Sequence, residues 1–174
     1  MGQKIFDWLL GRFAPIENRP LALMATFGIV MLALRLALAR PFWNSGQTRW
    51  VSFPTDLASS TNYLFANEFK LNFFWGSYPI PFPGFVGYMT GMAEIILPIL
   101  LVIGLFSRLW ALGLFVMTFV IQLVFPGAFW NPATFWDTHS VWFALSILII
   151  VLGPGQISLD WAVRRFGLSR LKQS

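Results

Sequence analysis

The chain has 174 residues, of which 57% are hydrophobic and only 11% are charged, and its formal net charge is +5. A soluble domain would carry about a quarter charged residues, so this composition excludes that class and indicates an integral membrane protein. The chain has no cysteine and one histidine, which excludes disulfides, iron–sulfur clusters and bis-histidine haem, and no metal or haem is predicted. Its positive charges lie mostly near the two ends and indicate contact with lipid headgroups, with no nucleic acid as partner.

The amino-terminal segment, residues 1–20, mixes apolar and charged side chains and is too short to span a bilayer. We predict that it is a cytoplasmic amphipathic segment lying at the membrane surface. A cleaved signal peptide is the alternative, because Ala37 and Ala39 form a small-x-small cleavage pattern. The long mixed-charge start and Arg35, which interrupts the apolar run, count against that alternative.

The first predicted span covers residues 21–39 and holds Arg35 about one turn before Arg40 and Pro41, where we expect the helix to end. The Arg35 side chain would then lie near the outer surface of the membrane. Two interpretations follow: the guanidinium snorkels to the headgroups without a partner, or it pairs with a buried polar group on a neighbouring span.

The predicted outer loop, residues 41–83, is too polar to span and too aromatic to be a free linker. We predict a turn at Gly46, a short helix over residues 55–69, and an extended approach to the second span imposed by three prolines between 79 and 83. A long ordered loop is usually functional. This one is therefore expected either to cap a site between the helices or to lie flat on the membrane.

The second predicted span, residues 84–106, is apolar apart from Glu94 near its middle. At ~1.5 Å per residue it crosses the ~30 Å hydrocarbon core, where a carboxylate costs on the order of 2.5 kcal/mol unless it is protonated, paired or facing water. Three glycines precede Glu94 on its own helical face, and Gly87 and Gly91 form a small-xxx-small pair that lets another helix approach. We therefore expect Glu94 to face the bundle interior.

The third and fourth predicted spans each carry one chemically useful polar side chain near an end. Residues 109–125 hold Gln122, and residues 139–153 begin at His139, which shares a helical face with Trp142.

The segments outside these spans complete the predicted architecture. The loop 127–138 forms an aromatic belt, and the basic tail 154–174 contains a short interfacial helix capped by Ser158. The predicted fold is therefore an all-α four-transmembrane-helix bundle over residues 21–153. Short interfacial helices lie in its first outer loop and at both termini.

The distribution of lysine and arginine predicts the orientation. Basic residues are more frequent on the side that carries the termini and the turn between the second and third spans than in the outer loops, so both termini are expected to be cytoplasmic. The residues counted are Lys4, Arg12, Arg19, Arg108, Arg164, Arg165, Arg170 and Lys172 on the inner side, and Arg40, Arg49 and Lys70 on the outer side.

The four spans carry polar side chains at compatible depths. With both ends inside, Arg35, Gln122 and His139 lie within about one or two turns of the outer surface, and Glu94 lies nearer the midplane. We predict that these four side chains form a ligand-binding cluster open toward the outer face, with Trp142 as its aromatic wall. Glu94 and His139 are the candidate catalytic residues, because both can exchange protons.

This cluster has a purely structural alternative, in which an arginine–glutamate latch fixes the helix register and holds no ligand. The ligand that suits the functional interpretation is a quinone, whose headgroup needs hydrogen-bond donors or proton-exchanging groups at its carbonyls, an aromatic wall and an apolar path for its tail. A histidine at a helix end is also commonly a cap. The sequence leaves latch and site open.

Several short motifs follow one another in an order typical of one family. They are Arg35 with Phe42, Trp43, Ser45 and Gly46; Leu64, Phe65, Glu68 and Phe69; Glu94 with Pro98; Gly104, Leu105, Ser107 and Arg108; His139 with Trp142; and Gly153, Pro154, Gly155, Ser158, Leu159 and Asp160. On these residues the chain resembles the DoxX family of small bacterial and archaeal membrane proteins over roughly Leu21 to Phe166. Asn72 and Phe73 depart from it, because many relatives have leucine–proline there.

The resemblance implies a four-helix bundle in a bacterial inner membrane. Family members are associated with quinone-linked oxidation, as subunits of terminal quinol oxidase or thiosulfate–quinone oxidoreductase, and with membrane oxidoreductase complexes that handle oxidative stress. A quinone is therefore the implied cofactor, and a protein partner or a second copy of the chain is the implied assembly. A shared fold does not by itself settle function.

Three functions remain open from the sequence. The first is a quinone-linked subunit of a membrane oxidoreductase, active only with a partner that holds the redox cofactor. The second is a non-enzymatic anchor or assembly partner whose aromatic outer loops dock another protein. The third is a small transporter with Glu94 as a proton-coupled site, but no inverted repeat supports it.

Overall fold

Four apolar helices dominate the computed structural model, which describes residues 21–73, 75–124 and 139–167. They are α1 (Leu21–Thr48), α3 (Pro83–Ile103), α4 (Ser107–Val124) and α5 (Ser140–Leu152). Within the described residues, α1, α3 and α4 are long and apolar enough to cross a bilayer, and α5 is a shorter apolar helix of 13 residues. The chain is therefore a predominantly helical membrane protein.

The four helices form a ring in which each helix runs antiparallel to its neighbours. Contacts at both ends of each pair set the directions: α4 meets α5 through Gln122 and His139 at one end and through Arg108 and the Val151 carbonyl at the other. We call the end that carries His139 and residues 49–82 the loop end, and the end that carries the 104–106 connection the turn end. Apolar side chains fill the interior, namely Met31, Leu38, Phe42, Leu101, Ala111, Leu114 and Ile149.

Helix α1 continues through Pro41 to Thr48, so the helix end predicted at Arg40 and Pro41 is wrong. Proline removes one intrahelical hydrogen bond, which neighbouring helices make tolerable in an apolar bundle. Gly46, predicted to lie in a turn, is helical and packs against α3. A Cβ atom there would lie 2.8 Å from Cδ1 of Ile95 and 3.0 Å from the backbone carbon of Glu94, so only glycine allows this close approach.

The first loop is an ordered layer over the loop end. It contains β1 (Trp50–Ser52) paired with β2 (Asp56–Leu57), then α2 (Ser59–Tyr63) continued by a π-helical turn (Leu64–Glu68), and an antiparallel hairpin of β3 (Lys70–Phe73) and β4 (Gly76–Pro79). The helix predicted over residues 55–69 is therefore shorter at its start, because residues 56–57 pair as a strand. The short strands were not predicted.

The hairpin is fixed to the end of α4 through Asn72. Its Nδ2 donates to the carbonyls of Leu123 at 3.1 Å and Val124 at 3.0 Å, which are orphan acceptors at the carboxyl end of that helix. Ser77 Oγ donates to Asn72 Oδ1 at 2.6 Å and orients the amide. Asn72, one of the two residues that depart from the leucine–proline pattern of many relatives, thus caps the carboxyl end of α4.

Buried ionic side chains satisfy the helix ends at the turn end. Arg35 is fully buried and donates to the carbonyls of Leu101 and Val102 at 3.4 and 3.1 Å and to that of Ile157. Asp160, also fully buried, accepts from the backbone N–H groups of Phe106 at 2.7 Å and Ser107 at 3.1 Å. Burial raises the pKa of Asp160 above its usual range, and these two donors oppose the rise.

Arg108 belongs to this buried set as well, whereas the predicted spans, residues 84–106 and 109–125, place it in the turn between them. The connection between α3 and α4 is the segment 104–106, and Arg108 lies in the first turn of α4. Its Nη2 donates to the Val151 carbonyl at 3.1 Å near the end of α5. Arg108 therefore donates to a carbonyl near the end of α5 and is not a headgroup contact.

The predicted cap of the carboxyl-terminal helix is confirmed. Ser158 Oγ accepts from the Trp161 N–H at 3.2 Å at the start of α6 (Leu159–Ala162), which a π-helical turn (Val163–Gly167) continues. The predicted amino-terminal segment 1–20 and the aromatic loop 127–138 lie outside the described residues, as does the end of the tail.

Candidate functional site

Glu94 faces the bundle interior, as its helical face predicted. The residue is 2% exposed and lies on α3 opposite Gly46 of α1. A carboxylate so far from water needs a partner. The structure supplies one from the start of the first loop, outside the predicted cluster.

That partner is Arg49, the first residue after α1. Its Nε donates to Oε2 of Glu94 at 3.0 Å and its Nη2 donates to Oε1 at 3.3 Å, which makes a two-point ion pair. The Arg49 side chain is 15% exposed, so the pair lies just inside the loop end. A fork of this geometry fixes both the position and the orientation of the carboxylate.

The first loop covers this ion pair with aromatic rings. The Arg49 guanidinium carbon lies 5.6 Å from the ring centroid of Phe65 and 5.9 Å from that of Phe69, which are cation–π distances. The Arg49 carbonyl accepts from the Ala58 N–H at 2.9 Å and from Thr61 Oγ1 at 3.1 Å, so the start of α2 is tied to the same residue. The loop therefore caps Glu94.

The glycine face of α3 is packed by rings of the first loop, which corrects the expectation that a helix approaches there. A Cβ atom at Gly87 would lie 3.3 Å from the Phe65 ring, and one at Gly91 would lie 3.1 Å from the Trp50 indole. Trp50 Nε1 also donates to the Gly91 carbonyl at 3.3 Å. The helix that does approach α3 closely is α1, and it uses Gly46.

His139, Gln122 and Trp142 come together at the same end of the bundle. The Nδ1 atom of His139 is hydrogen-bonded to Oε1 of Gln122, and the imidazole and indole centroids are 5.2 Å apart. With the Gln122 carbonyl oxygen as acceptor, His139 Nδ1 donates and Nε2 is the proton-accepting nitrogen of the ring. Trp142 in turn packs against Phe42 at 5.3 Å, which closes this side of the bundle.

A cavity of about 570 Å³ joins these two groups of residues. Its polar lining comes from Arg49, Glu94 and His139, with the hydroxyls of Ser45 and Thr90, and the rest is apolar or aromatic. The other lining residues are Pro41, Phe42, Phe65, Phe69, Leu71, Ile80, Pro81, Val86, Val120, Ile121, Val124 and Trp142. A volume of this size with a few convergent polar groups is typical of a small-molecule site.

Arg35 does not belong to this site, so the predicted Arg35–Glu94 pair is not formed. Arg35 lies at the turn end beside the carbonyls of Leu101 and Val102. A Cβ atom on Gly104 would overlap Nη1 of Arg35. Gln122 is buried behind His139 and does not line the cavity either, so it orients the imidazole.

Arg49 is the site residue that sequence reasoning missed, and its signal was obscured by Pro41. A predicted first helix that continued through Pro41 to Thr48 would have placed Arg49 directly after its last turn and Gly46 within the helix. Phe65 and Phe69 were assigned to the loop helix but not to the site. Their spacing of four residues is the signal that they share a face and can hold one guanidinium between them.

The cavity combines three kinds of chemistry within one apolar enclosure. Arg49 offers N–H donors, Glu94 can exchange a proton, and His139 can accept or donate one. Among the residues that the structure describes, no group of three or more histidine, aspartate or glutamate side chains could hold a metal ion. The arrangement suits a planar organic ligand with polar atoms at its rim.

These features define a helical membrane protein with an aromatic-capped cavity between its spans. The chain belongs to the DoxX family, whose profile matches residues 30–127. A second profile, described as the TQO small subunit DoxD, matches residues 83–172. No curated protein and no solved structure matches the chain. The first match includes Arg49 and Glu94, and the second includes Glu94 and His139.

Proposed function

We propose that the chain is the quinone-binding subunit of a membrane oxidoreductase and that the loop-end cavity holds the quinone headgroup. The observation that carries the proposal is that the Arg49–Glu94 ion pair and His139 line one largely apolar cavity. The description of the DoxD family as a small subunit supports a protein partner for the redox reaction.

The cavity fits a quinone in size, polarity and wall chemistry. Its volume of about 570 Å³ lies within the usual range for small-molecule sites. Phe42, Phe65, Phe69 and Trp142 supply aromatic walls, and Val86, Val120 and Val124 supply an apolar path toward α3 and α4. Bound there, a quinone would provide two-electron, two-proton chemistry, and the partner would provide the other redox centre.

Each polar residue has a distinct task in this proposal. Arg49, held by Glu94 and by the rings of Phe65 and Phe69, donates a hydrogen bond to one headgroup oxygen. His139, oriented by Gln122, exchanges a proton at the other oxygen. Glu94 keeps Arg49 in place and accepts a proton when the pair opens.

The test is a titration of decylubiquinone into nanodiscs that contain the purified protein, followed by tryptophan fluorescence. We expect saturable quenching, because Trp142 lines the cavity. Trp142→Phe should remove most of this quenching, whereas Trp43→Phe, which changes an indole outside the cavity, should leave it. His139→Ala and Glu94→Gln should weaken binding about tenfold or more, since each removes a hydrogen-bonding or charged contact.

Thermal unfolding of each variant checks that loss of quenching reflects the site. Quenching that is linear in quinone concentration, or that survives both Trp142→Phe and His139→Ala, would contradict a quinone site in this cavity.

We further propose that the chain crosses a bacterial inner membrane four times, with both termini in the cytoplasm. The antiparallel packing of α5 along α4, from His139 to Val151, supports α5 as the fourth span. The basic tail and the basic amino-terminal segment support the orientation. In that arrangement the turn end faces the cytoplasm, and the tail helix lies with its basic side on the headgroups.

A second candidate function is a docking subunit without a reaction of its own, and the exposed β3–β4 hairpin favours it. Phe73 and Trp75 stack at 5.7 Å, Tyr78 lies 6.2 Å from Phe73, and Trp75 is 75% exposed. Exposed aromatic clusters are typical of interfaces.

Crosslinking in cells tests this second function. Trp75→Ala should abolish a crosslinked complex and leave quinone quenching unchanged, and His139→Ala should leave the complex intact. A complex that forms equally well with Trp75→Ala would exclude the hairpin as the docking surface.

A further inference from the structure

A second cleft lies on the outward faces of α1 and α3 and shares no lining residue with the loop-end cavity. It encloses about 460 Å³ and is apolar except for one arginine. We call it the α1–α3 groove, and its lining consists of Leu36, Ala39, Arg40, Trp43, Pro98, Ile99, Val102 and Ile103.

Arg40 is an exposed cation in the middle of a spanning helix, which is an expensive position. Among the described residues it has no hydrogen-bond or ion-pair partner, unlike Arg35, Arg49 and Arg108. An arginine facing acyl chains needs either the headgroup region or an anion that comes to it.

The direction of α1 determines which headgroups Arg40 can reach. Side chains on a helix lean toward its amino terminus, which for α1 is the direction of the turn end. Five residues earlier, Arg35 is level with the carbonyls of Leu101 and Val102. The Arg40 guanidinium therefore extends toward the last turn of α3, where Val102 and Ile103 line the groove.

We infer that the α1–α3 groove binds one anionic phospholipid from the leaflet at the turn end. The phosphate pairs with Arg40, and one acyl chain lies along the apolar walls toward Trp43. Charge complementarity selects this occupant, because the groove offers a single unpaired cation at the headgroup side and apolar surface along the rest of its length. The inference depends on α1 and α3 spanning the membrane and is independent of the quinone proposal.

Native mass spectrometry of the protein from nanodiscs tests this site. Nanodiscs are prepared either with phosphatidylglycerol in phosphatidylcholine or with phosphatidylcholine alone, and the lipids retained per protein are counted. Wild type should retain one phosphatidylglycerol per protein. Arg40→Gln should retain roughly fivefold less, as expected for the loss of one cation near the headgroups. Arg40→Lys should retain most of this binding.

Two further variants separate the site from general surface charge. Lys70→Gln removes an exposed cation at the loop end and should retain lipid as wild type does. Ile99→Trp keeps Arg40 but fills the groove, and it should reduce retention. Equal retention by wild type and Arg40→Gln, or no preference of wild type for phosphatidylglycerol over phosphatidylcholine, would overturn the inference.

Discussion

Replacement of Arg49 with methionine should destabilise the protein by on the order of 3 kcal/mol, because it leaves the Glu94 carboxylate buried without its partner. The variant also loses the cation between the rings of Phe65 and Phe69. The double replacement Arg49→Met with Glu94→Leu should recover most of the loss, since no charge then remains buried. Denaturant-dependent unfolding in mixed micelles measures the wild type, the single variants Arg49→Met and Glu94→Leu, and the double variant.

The matched control is Lys70→Met, which removes an exposed cation from the same end of the molecule and should change stability by less than ~0.5 kcal/mol. If Arg49→Met were as mild as Lys70→Met, the ion pair would not hold the site together. A double variant whose loss equals the sum of the two single losses would point to the same conclusion.

Replacement of Gly104 with alanine should cost on the order of 3 kcal/mol, because two penalties combine at that residue. Its φ of +82° is unfavourable for any side chain, and the new Cβ would overlap Nη1 of Arg35 and lie 2.7 Å from the Cβ of Ser158. Displacing the Arg35 guanidinium also leaves carbonyls at the end of α3 without donors.

Thermal unfolding in detergent compares this variant with Gly84→Ala. Gly84 lies in the first turn of α3, and a Cβ atom there meets nothing within 4 Å. We expect Gly84→Ala to be neutral or slightly stabilising. Equal melting temperatures for the two variants would show that the close packing of Arg35 against Gly104 is not needed for stability.

Half of the candidate site could be predicted because it depends on helical periodicity and span order alone. The interior position of Glu94 follows from its glycine face, and the meeting of Gln122 with His139 follows from an antiparallel neighbour. The position of Trp142 beside His139 follows from their spacing of three residues on one helix. None of these inferences required the exact start or end of a helix.

The position of Arg35 could not be predicted in the same way, because depth is counted from a helix end. Helix α1 extends nine residues beyond the predicted end at residue 39, to Thr48. At ~1.5 Å per residue this is a displacement of about 13 Å, which moves Arg35 from the loop end to the turn end. The same error placed Arg49 ten residues beyond the helix end, whereas it directly follows Thr48, and so hid its pairing with Glu94.

The small sheets of the first loop escaped prediction for a different reason. Strands of two to four residues carry too little alternation to be distinguished from a polar loop. Their positions depend on tertiary contacts, such as the Asn72 bonds to the end of α4.

Photolabelling with an azido-quinone in nanodiscs, followed by peptide mapping, tests most directly whether the loop-end cavity holds the headgroup. The proposed function predicts labels in the segments 65–71 and 139–142, which both contribute lining residues to the cavity, and competition by unlabelled quinone. Labels confined to segment 98–103, which lines the α1–α3 groove and not the cavity, or labelling that unlabelled quinone does not reduce, would contradict it.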